Sequence, residues 1–293
     1  QRRIYDLLVV TSETSADLLE FRLASMYQHI DYFIILETPS PAKAEDSGSS
    51  DPSAPPPSID PPTLLDRIWT SRLSSYHAKI IRHTLSQHAY DFKHGLDHAA
   101  TTRNAIFTRV IPLLTGAQKV QLGDVLLISD VEEVLRPVTT RVLRNCDIPE
   151  RTTVRTRRYW YSYHEKGNEW WPHPQATVYQ GADTILPDDL RKQRSLDEYV
   201  FGDGGWTCHL CYPTISETLV KLGEGGVIWH DGPRWKAAGR VVSKVMKGID
   251  LYDRTHLARI EVNPDLPPYL QNNPHRYKWL LDRDPLGANF ADF

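Results

Sequence analysis

Apolar positions in this chain fall into two kinds of pattern. IYDLLVV (residues 4–10) and DYFIILE (31–37) are short, nearly continuous apolar runs, which is how strands buried on both faces read. Between them, TSETSADLLEFRLASMYQHI carries Leu18, Leu19, Leu23, Met26 and Ile30 at three- and four-residue intervals, the spacing of one helical face. Strand, helix and strand in succession predict a βαβ unit and, with it, a parallel sheet.

The pattern breaks at PSPAKAEDSGSSDPSAPPPSIDPP, residues 39–62, where Pro, Ser and charge leave almost nothing to bury. Such a stretch reads as a flexible loop leaving the fold and not as a domain boundary. An amphipathic stretch resumes at Thr63 and runs to Leu85, and a helix is predicted from Asp97 to Leu114. A buried strand at LLISDVEEV (126–134) and a helix near 137–145 follow. TTVRTRRYWYSY (152–163) alternates and is rich in β-branched and aromatic residues, so it predicts one strand. Short strands are expected at ATVYQ and GVIWHDG, and helices at TISETLVKL and near 237–250. The Pro-punctuated tail, 263–284, reads as a surface wrap. Together these predict one α/β domain over residues 1–293, a mostly parallel, doubly wound sheet flanked by helices.

Composition narrows the class. Hydrophobic residues make up 40% and charged residues 24%, as in an ordinary soluble domain. A net charge of −3 supplies no basic field to recruit nucleic acid or an anionic membrane. No transmembrane run or signal peptide is visible; the opening Gln1-Arg2-Arg3-Ile4 reads as a chain trimmed of what preceded it. Eight Trp and fourteen Tyr are unusual, crowded into 159–171 and around Trp206, Trp229 and Trp235. Aromatics beside polar groups grip sugar faces, and large core residues are the equal alternative. The three cysteines, Cys146, Cys208 and Cys211, lack a second pair at zinc spacing, which leaves structural thiols or one disulfide.

The candidate chemistry sits at the end of LLISDVEEV, where a core strand runs into Asp130, Glu132 and Glu133. Ser129 and Glu132 have the spacing of a capping box, and acids suit a helix's first turn; Glu133 fits that reading best, with a partner supporting the metal residues as the alternative. A parallel sheet also binds ligands at the carboxyl ends of its strands. There Asp130 and Glu132 could hold a divalent cation together with phosphate oxygens. A helix start at a strand end accommodates both readings.

Several blocks, in order, resemble glycosyltransferase family 17. ETSADLLEFRLASMYQHIDYFIILET is similar to its first βαβ unit, TTRNAI to its arginine-bearing helix and GDVLLISDVEEV to its metal strand. RRYWYSYHEKGNEWWP resembles its aromatic block, GGWTCHLCY its Gly-Trp-x-Cys segment and VMKGIDLYDR its C-terminal helix. The likeness omits little beyond 39–62. One departure is Asp130-Val131-Glu132, where the family usually has Asp-x-Asp before a third acid.

The resemblance implies a GT-A-type fold and inverting transfer of GlcNAc from UDP-GlcNAc, with Mn²⁺ or Mg²⁺, to a mannose-containing glycan. The core β-mannose of an N-glycan, where the added sugar is a bisecting GlcNAc, is the acceptor it implies, on a glycan or glycoprotein. It also implies a Golgi or other secretory-pathway lumen, with any membrane anchor outside this chain. Asp130, Glu132 and His230 are then the metal candidates, with Asp130 also on the diphosphate. Glu13, Glu37, Arg103 and Asn104 are expected around the nucleotide. Asp231, Asp203 and Glu217 are candidates for the general base, Asp231 preferred for its place beside His230. Trp206, Tyr161, Trp170 and Trp171 are candidates for an acceptor platform. Two other classes fit the acid pair less well: a Mg²⁺-dependent α/β phosphohydrolase, and an inactive relative that only holds glycans.

Overall fold

The computed structural model describes residues 1–38, 62–85, 98–193, 196, 198–224, 238–251 and 257–293. The Pro/Ser-rich segment up to residue 61, the expected strand GVIWHDG, and with it His230 and Asp231, lie outside the described residues.

The βαβ unit forms as the periodicity requires. β1 (Ile4–Thr11) runs into α1 (Ala16–Met26), and β2 (Tyr32–Thr38) returns parallel to β1. β3 (Ile80–Thr84) extends the sheet beyond β2, and β4 (Val125–Ile128) lies on the other side of β1, all parallel. Alternate side chains of these strands enter two separate cores. Ile4, Leu8, Phe33 and Ile35 pack with Leu19, Leu23 and Met26 of α1 on one face. Tyr5, Leu7, Ile34 and Leu36 pack with Ile106, Val110 and Leu190 on the other. Burial of both faces is why β1, β2 and β4 read as unbroken apolar runs.

The helix expected over 97–114 is regular only in α3 (His98–Ala105). It then loosens into a π turn, Ile106–Val110, and a short 3₁₀ turn, Ile111–Leu113, that contains Pro112. Proline cannot donate the backbone bond that would continue an α-helix.

Beyond β4 the sheet is mixed, which corrects the mostly parallel expectation. β5 (Glu133–Leu135), β6 (Thr152–Trp160), β7 (Ser162–Trp171), β8 (Gln175–Val178), β9 (Tyr199–His209) and β10 (Ala258–Arg259) complete it. β6 pairs parallel with β9, but β8 is antiparallel to β4 and β6, and β5 is antiparallel to β9. The single strand expected over 152–163 folds back at Tyr161, whose φ is 62°, into the β6–β7 hairpin. A link that short can join only antiparallel neighbours.

α4 (Pro137–Asn145), α6 (Ile215–Glu224) and α7 (Ala238–Met246) fall where expected, and α2 (Leu64–Ile68) and α5 (Pro187–Lys192) are added short helices. The tail is not a surface wrap. Its helices α8 (Pro268–Asn272) and α9 (Lys278–Leu281) pack on α1 and β7, and Leu270, Tyr277 and Leu280 are buried. Arg283, also buried, donates to the carbonyls of Tyr161, Tyr212 and Ala288, tying the tail beneath the hairpin turn. Cys208 and Cys211 form a disulfide, and Cys146 is an exposed free thiol.

Candidate active site

The acidic stretch after β4 does not start a helix. Val131 and Glu132 make a turn, and Glu133 opens β5, with Val134 opposite Trp206 of β9. Pairing with β9 satisfies the backbone groups a helix would have used. Ser129 is no cap: its hydroxyl donates to Asp6 Oδ1 at 2.6 Å and accepts from Arg22 Nη2 at 2.6 Å. The reach-back half of a capping box is present one residue later, where the Asp130 N–H donates to Glu133 Oε2 at 2.9 Å and closes a turn. Glu133 is therefore no helix-terminal acid.

At the carboxyl ends of β1 and β4 this turn borders a cleft of about 200 Å³. Glu13, Arg103, Asp130 and Glu132, four of the residues expected from the sequence, line it together. The Thr11–Ser15 loop that leads into α1 forms one wall, and Tyr212 and Lys221 of the β9–α6 region form another. This is where open α/β sheets bind ligands, because loops diverge there and leave a crevice.

The electrostatics are balanced on a small scale. The Asp130 side chain is 43% exposed, with Oδ2 held at 2.6 Å by Arg191 Nη2. Burial acts to raise its pKa, but the charges of Arg191, Arg103 and Lys221 outweigh that and hold it below the ordinary aspartate range. Glu132 is 17% exposed, with His209 Nδ1 at 3.6 Å from Oε1. Burial would raise its carboxyl too, yet His209 and Lys221 hold it low. Both acids are thus ionised at neutral pH and open toward the cleft. Among the described residues there is no cluster of three His, Cys, Asp or Glu side chains that could hold a metal.

Several expected site residues are spent elsewhere. Glu37 is fully buried and accepts from the Leu65 N–H at 2.8 Å, with Arg82 at 3.4 Å, so it pins α2 to the sheet. Asn104 Oδ1 accepts the Asp188 N–H at 3.0 Å, satisfying a backbone donor in the first turn of α5. Trp206 is 3% exposed; Arg136 stacks on its ring and its Nε1 donates to Asp265, so it cannot face a sugar. Tyr161 is fully buried, its hydroxyl bonded to Ile249 and Leu251. Trp171 donates Nε1 to Glu133 at 2.8 Å, beneath the turn. Trp170 is the exposed member of the four, at 39%, with the Arg157 guanidinium 3.7 Å from its ring centre.

The base candidates separate as well. Glu217 Oε2 accepts from Thr214 Oγ1 while Thr214 Oγ1 accepts the Glu217 N–H, a capping pair at the start of α6. Asp203, with φ 51°, is bound by Arg136 beyond Leu135, at the end of β5 opposite to Glu132. Asp231 lies outside the described residues.

Lys221, which lines the cleft, and Arg191, which holds Asp130 at 2.6 Å, were not among the sequence candidates. Each stands in a polar helical stretch that reads as solvated charge, and only tertiary contact brings it to Asp130. Arg103, by contrast, was a sequence candidate; it lines the cleft and also pairs with Asp188 at 3.3 Å.

Sheet and cleft together define an α/β domain whose charged pocket lies at its strand ends. The model of glycosyltransferase family 17 matches residues 67–285, and the chain belongs to that family. It is a glycosyltransferase. No curated protein matches the chain. Among solved structures, a 4-diphosphocytidyl-2C-methyl-D-erythritol synthase is 11% identical, covering 70% of this chain and 89% of that one, with a TM-score of 0.39. The inositol-1-phosphate CTP transferase from T. maritima is 9% identical, covering 76% and 97%, with a TM-score of 0.37. Likeness at that level carries no argument about activity. Among the described residues no helix is long and apolar enough to cross a membrane.

Proposed function

We propose that this glycosyltransferase moves GlcNAc from UDP-GlcNAc, with inversion, to a mannose of a glycan or glycoprotein, the core β-mannose of an N-glycan. One observation carries the reading: Glu13, Arg103, Asp130, Glu132 and Lys221, from separate segments, line a single cleft at the carboxyl ends of β1 and β4.

The donor set fits a hard divalent cation. Asp130 and Glu132 offer ionised oxygens at the cleft, and two protein carboxylates leave positions for diphosphate oxygens and water, as Mg²⁺ and Mn²⁺ prefer. His230 is the proposed further ligand. When bound, the cation would act as a Lewis acid toward the leaving diphosphate. Arg103 and Lys221 would add positive charge on the same leaving group, Arg103 through its planar donor fork. The acceptor hydroxyl oxygen bonds to the anomeric carbon as the bond to the UDP oxygen breaks, and its proton passes to a base. Asp231 is the proposed base, because Glu217 is committed to a helix cap and Asp203 to Arg136. Trp170 supports an acceptor-platform role by its exposure. The Cys208–Cys211 disulfide supports a secretory-pathway lumen, where such bonds persist.

Calorimetric binding of UDP-GlcNAc and UDP-GalNAc, with Mn²⁺ and with chelator, to this chain and to Asp130→Ala tests the reading. Mn²⁺-dependent binding of UDP-GlcNAc that Asp130→Ala removes is expected. Absence of sugar-nucleotide binding by the intact chain would overturn the donor assignment in favour of a phosphohydrolase or an inactive glycan binder.

A further inference from the structure

We propose that Arg191 and Glu133 form a buried clamp that positions the Asp130 carboxylate, so that the third acid of the motif is a positioning residue and not a metal ligand. The proposal rests on reading the cleft as a donor site.

Glu133 is fully buried, and both of its oxygens are occupied. Oε1 accepts from Trp171 Nε1 at 2.8 Å and from Arg191 Nη2 at 3.1 Å. Oε2 accepts from the Asp130 N–H at 2.9 Å and from Arg191 Nη1 at 3.1 Å. Four donors around one carboxylate leave it no lone pair for a cation. Arg191, itself 7% exposed, uses the same planar head to reach the Ile128 carbonyl at 3.2 Å and Asp130 Oδ2 at 2.6 Å.

The guanidinium therefore measures Asp130 against three references at once: the end of β4, the buried Glu133, and the turn's own backbone through the Glu133 bond to the Asp130 N–H. A rigid fork cannot satisfy all of them with the aspartate in another rotamer. An aspartate on an unsupported turn would sample its rotamers and give up that freedom each time a cation bound. Here that ordering is complete before any ligand arrives, the arrangement expected of groups that support metal-binding side chains. An opposite role is conceivable on charge alone, since a cation beside Asp130 repels a metal. The two roles predict opposite signs.

The experiment measures Mn²⁺ binding by electron paramagnetic resonance at saturating UDP, with thermal melting as the fold check. It compares the intact chain with Asp130→Ala, Arg191→Met, Arg191→Lys and Trp171→Phe. Arg191→Met should weaken Mn²⁺ binding about 10–100-fold, the usual loss when a supporting partner is removed. A single cooperative thermal melt, which a merely unfolded protein would not show, should be retained. Arg191→Lys, which keeps charge but loses the fork, and Trp171→Phe, which removes one Glu133 donor, should weaken Mn²⁺ binding by smaller factors. If Arg191→Met does not fold, these two variants decide by the same sign. Mn²⁺ binding that stays unchanged, or tightens, overturns the clamp. An intact chain that binds no Mn²⁺ with UDP overturns the donor reading itself, whereas one that binds normally beside an unaffected Arg191→Met overturns only the clamp.

Discussion

Replacing Arg22 by methionine should destabilise the fold by about 3–5 kcal/mol, the cost of leaving one partner of a buried ion pair uncompensated. Arg22 and Asp6 both have fully buried side chains. Nε and Nη2 of Arg22 meet the two Asp6 oxygens at 2.8–3.0 Å. Nη2 also reaches Ser129 Oγ, and Nη1 the Asp130 carbonyl at 3.1 Å. Methionine keeps most of the stem's volume, so the loss is mainly electrostatic. At about 2 °C per kcal/mol for a chain of this size, melting should fall by about 6–10 °C. Asp6→Leu alone should lose a similar amount by stranding the arginine. The double variant Asp6→Leu/Arg22→Met should be far more stable than the sum of the two losses, because no buried charge is left without its partner. Urea denaturation of all four proteins measures the cycle. A single-variant loss below about 1 kcal/mol, or simple additivity, would refute the view that this pair is a strongly coupled buried unit.

Thr214→Ala should cost about 1 kcal/mol through the lost cap, and Glu217→Ala should leave kcat close to wild type; a kcat collapse would make Glu217 the base after all. Gly205→Ala should destabilise by about 3 kcal/mol, the upper end for overpacking, since a Cβ there would lie 2.3 Å from the Val134 carbonyl oxygen in the β5–β9 pairing; an unchanged melting temperature would exclude that pairing. Burial raises the Glu165 carboxyl above the ordinary glutamate range, Arg259 opposing only in part. With the folded pKa raised, the unfolded chain ionises first, so Glu165 supports the fold fully below the usual glutamate value and loses that contribution as pH rises through its folded value. The stability of Glu165→Gln relative to wild type should therefore improve between pH 4 and pH 7.5 in urea titrations; a flat difference would contradict a raised pKa.

The parallel β1–α1–β2 unit was legible because both its signals are local: unbroken apolar runs for strands buried twice, and three- and four-residue spacing for a helix buried once. That Asp130, Glu132 and Glu13 share one cleft was foreshadowed by their places at or just after strand ends, and Arg103 joins them from α3. The tail was misread because proline-rich spacing says nothing about what covers it: Tyr277 packs on Phe21 of α1, and α9, which carries Leu280, packs on β7. The capping-box spacing of Ser129 and Glu132 was real but ambiguous. It promised a helix, and a strand lying far along the chain, β9, claimed the same backbone groups instead. Glu217 shows the converse, a carboxylate that looked available for chemistry and is held by a cap three residues away.

What the sequence determined by itself is therefore the class: an α/β chain of family 17 with its acids at a strand end. What the tertiary structure decided is the state of those acids. Whether Glu133 faces a cation or an arginine, and whether Trp206 faces a sugar or Asp265, depends on side chains brought from elsewhere in the chain. Local pattern encodes which face of an element is buried. It does not encode which partner the burial supplies, and for a charged group the partner sets its protonation and its role.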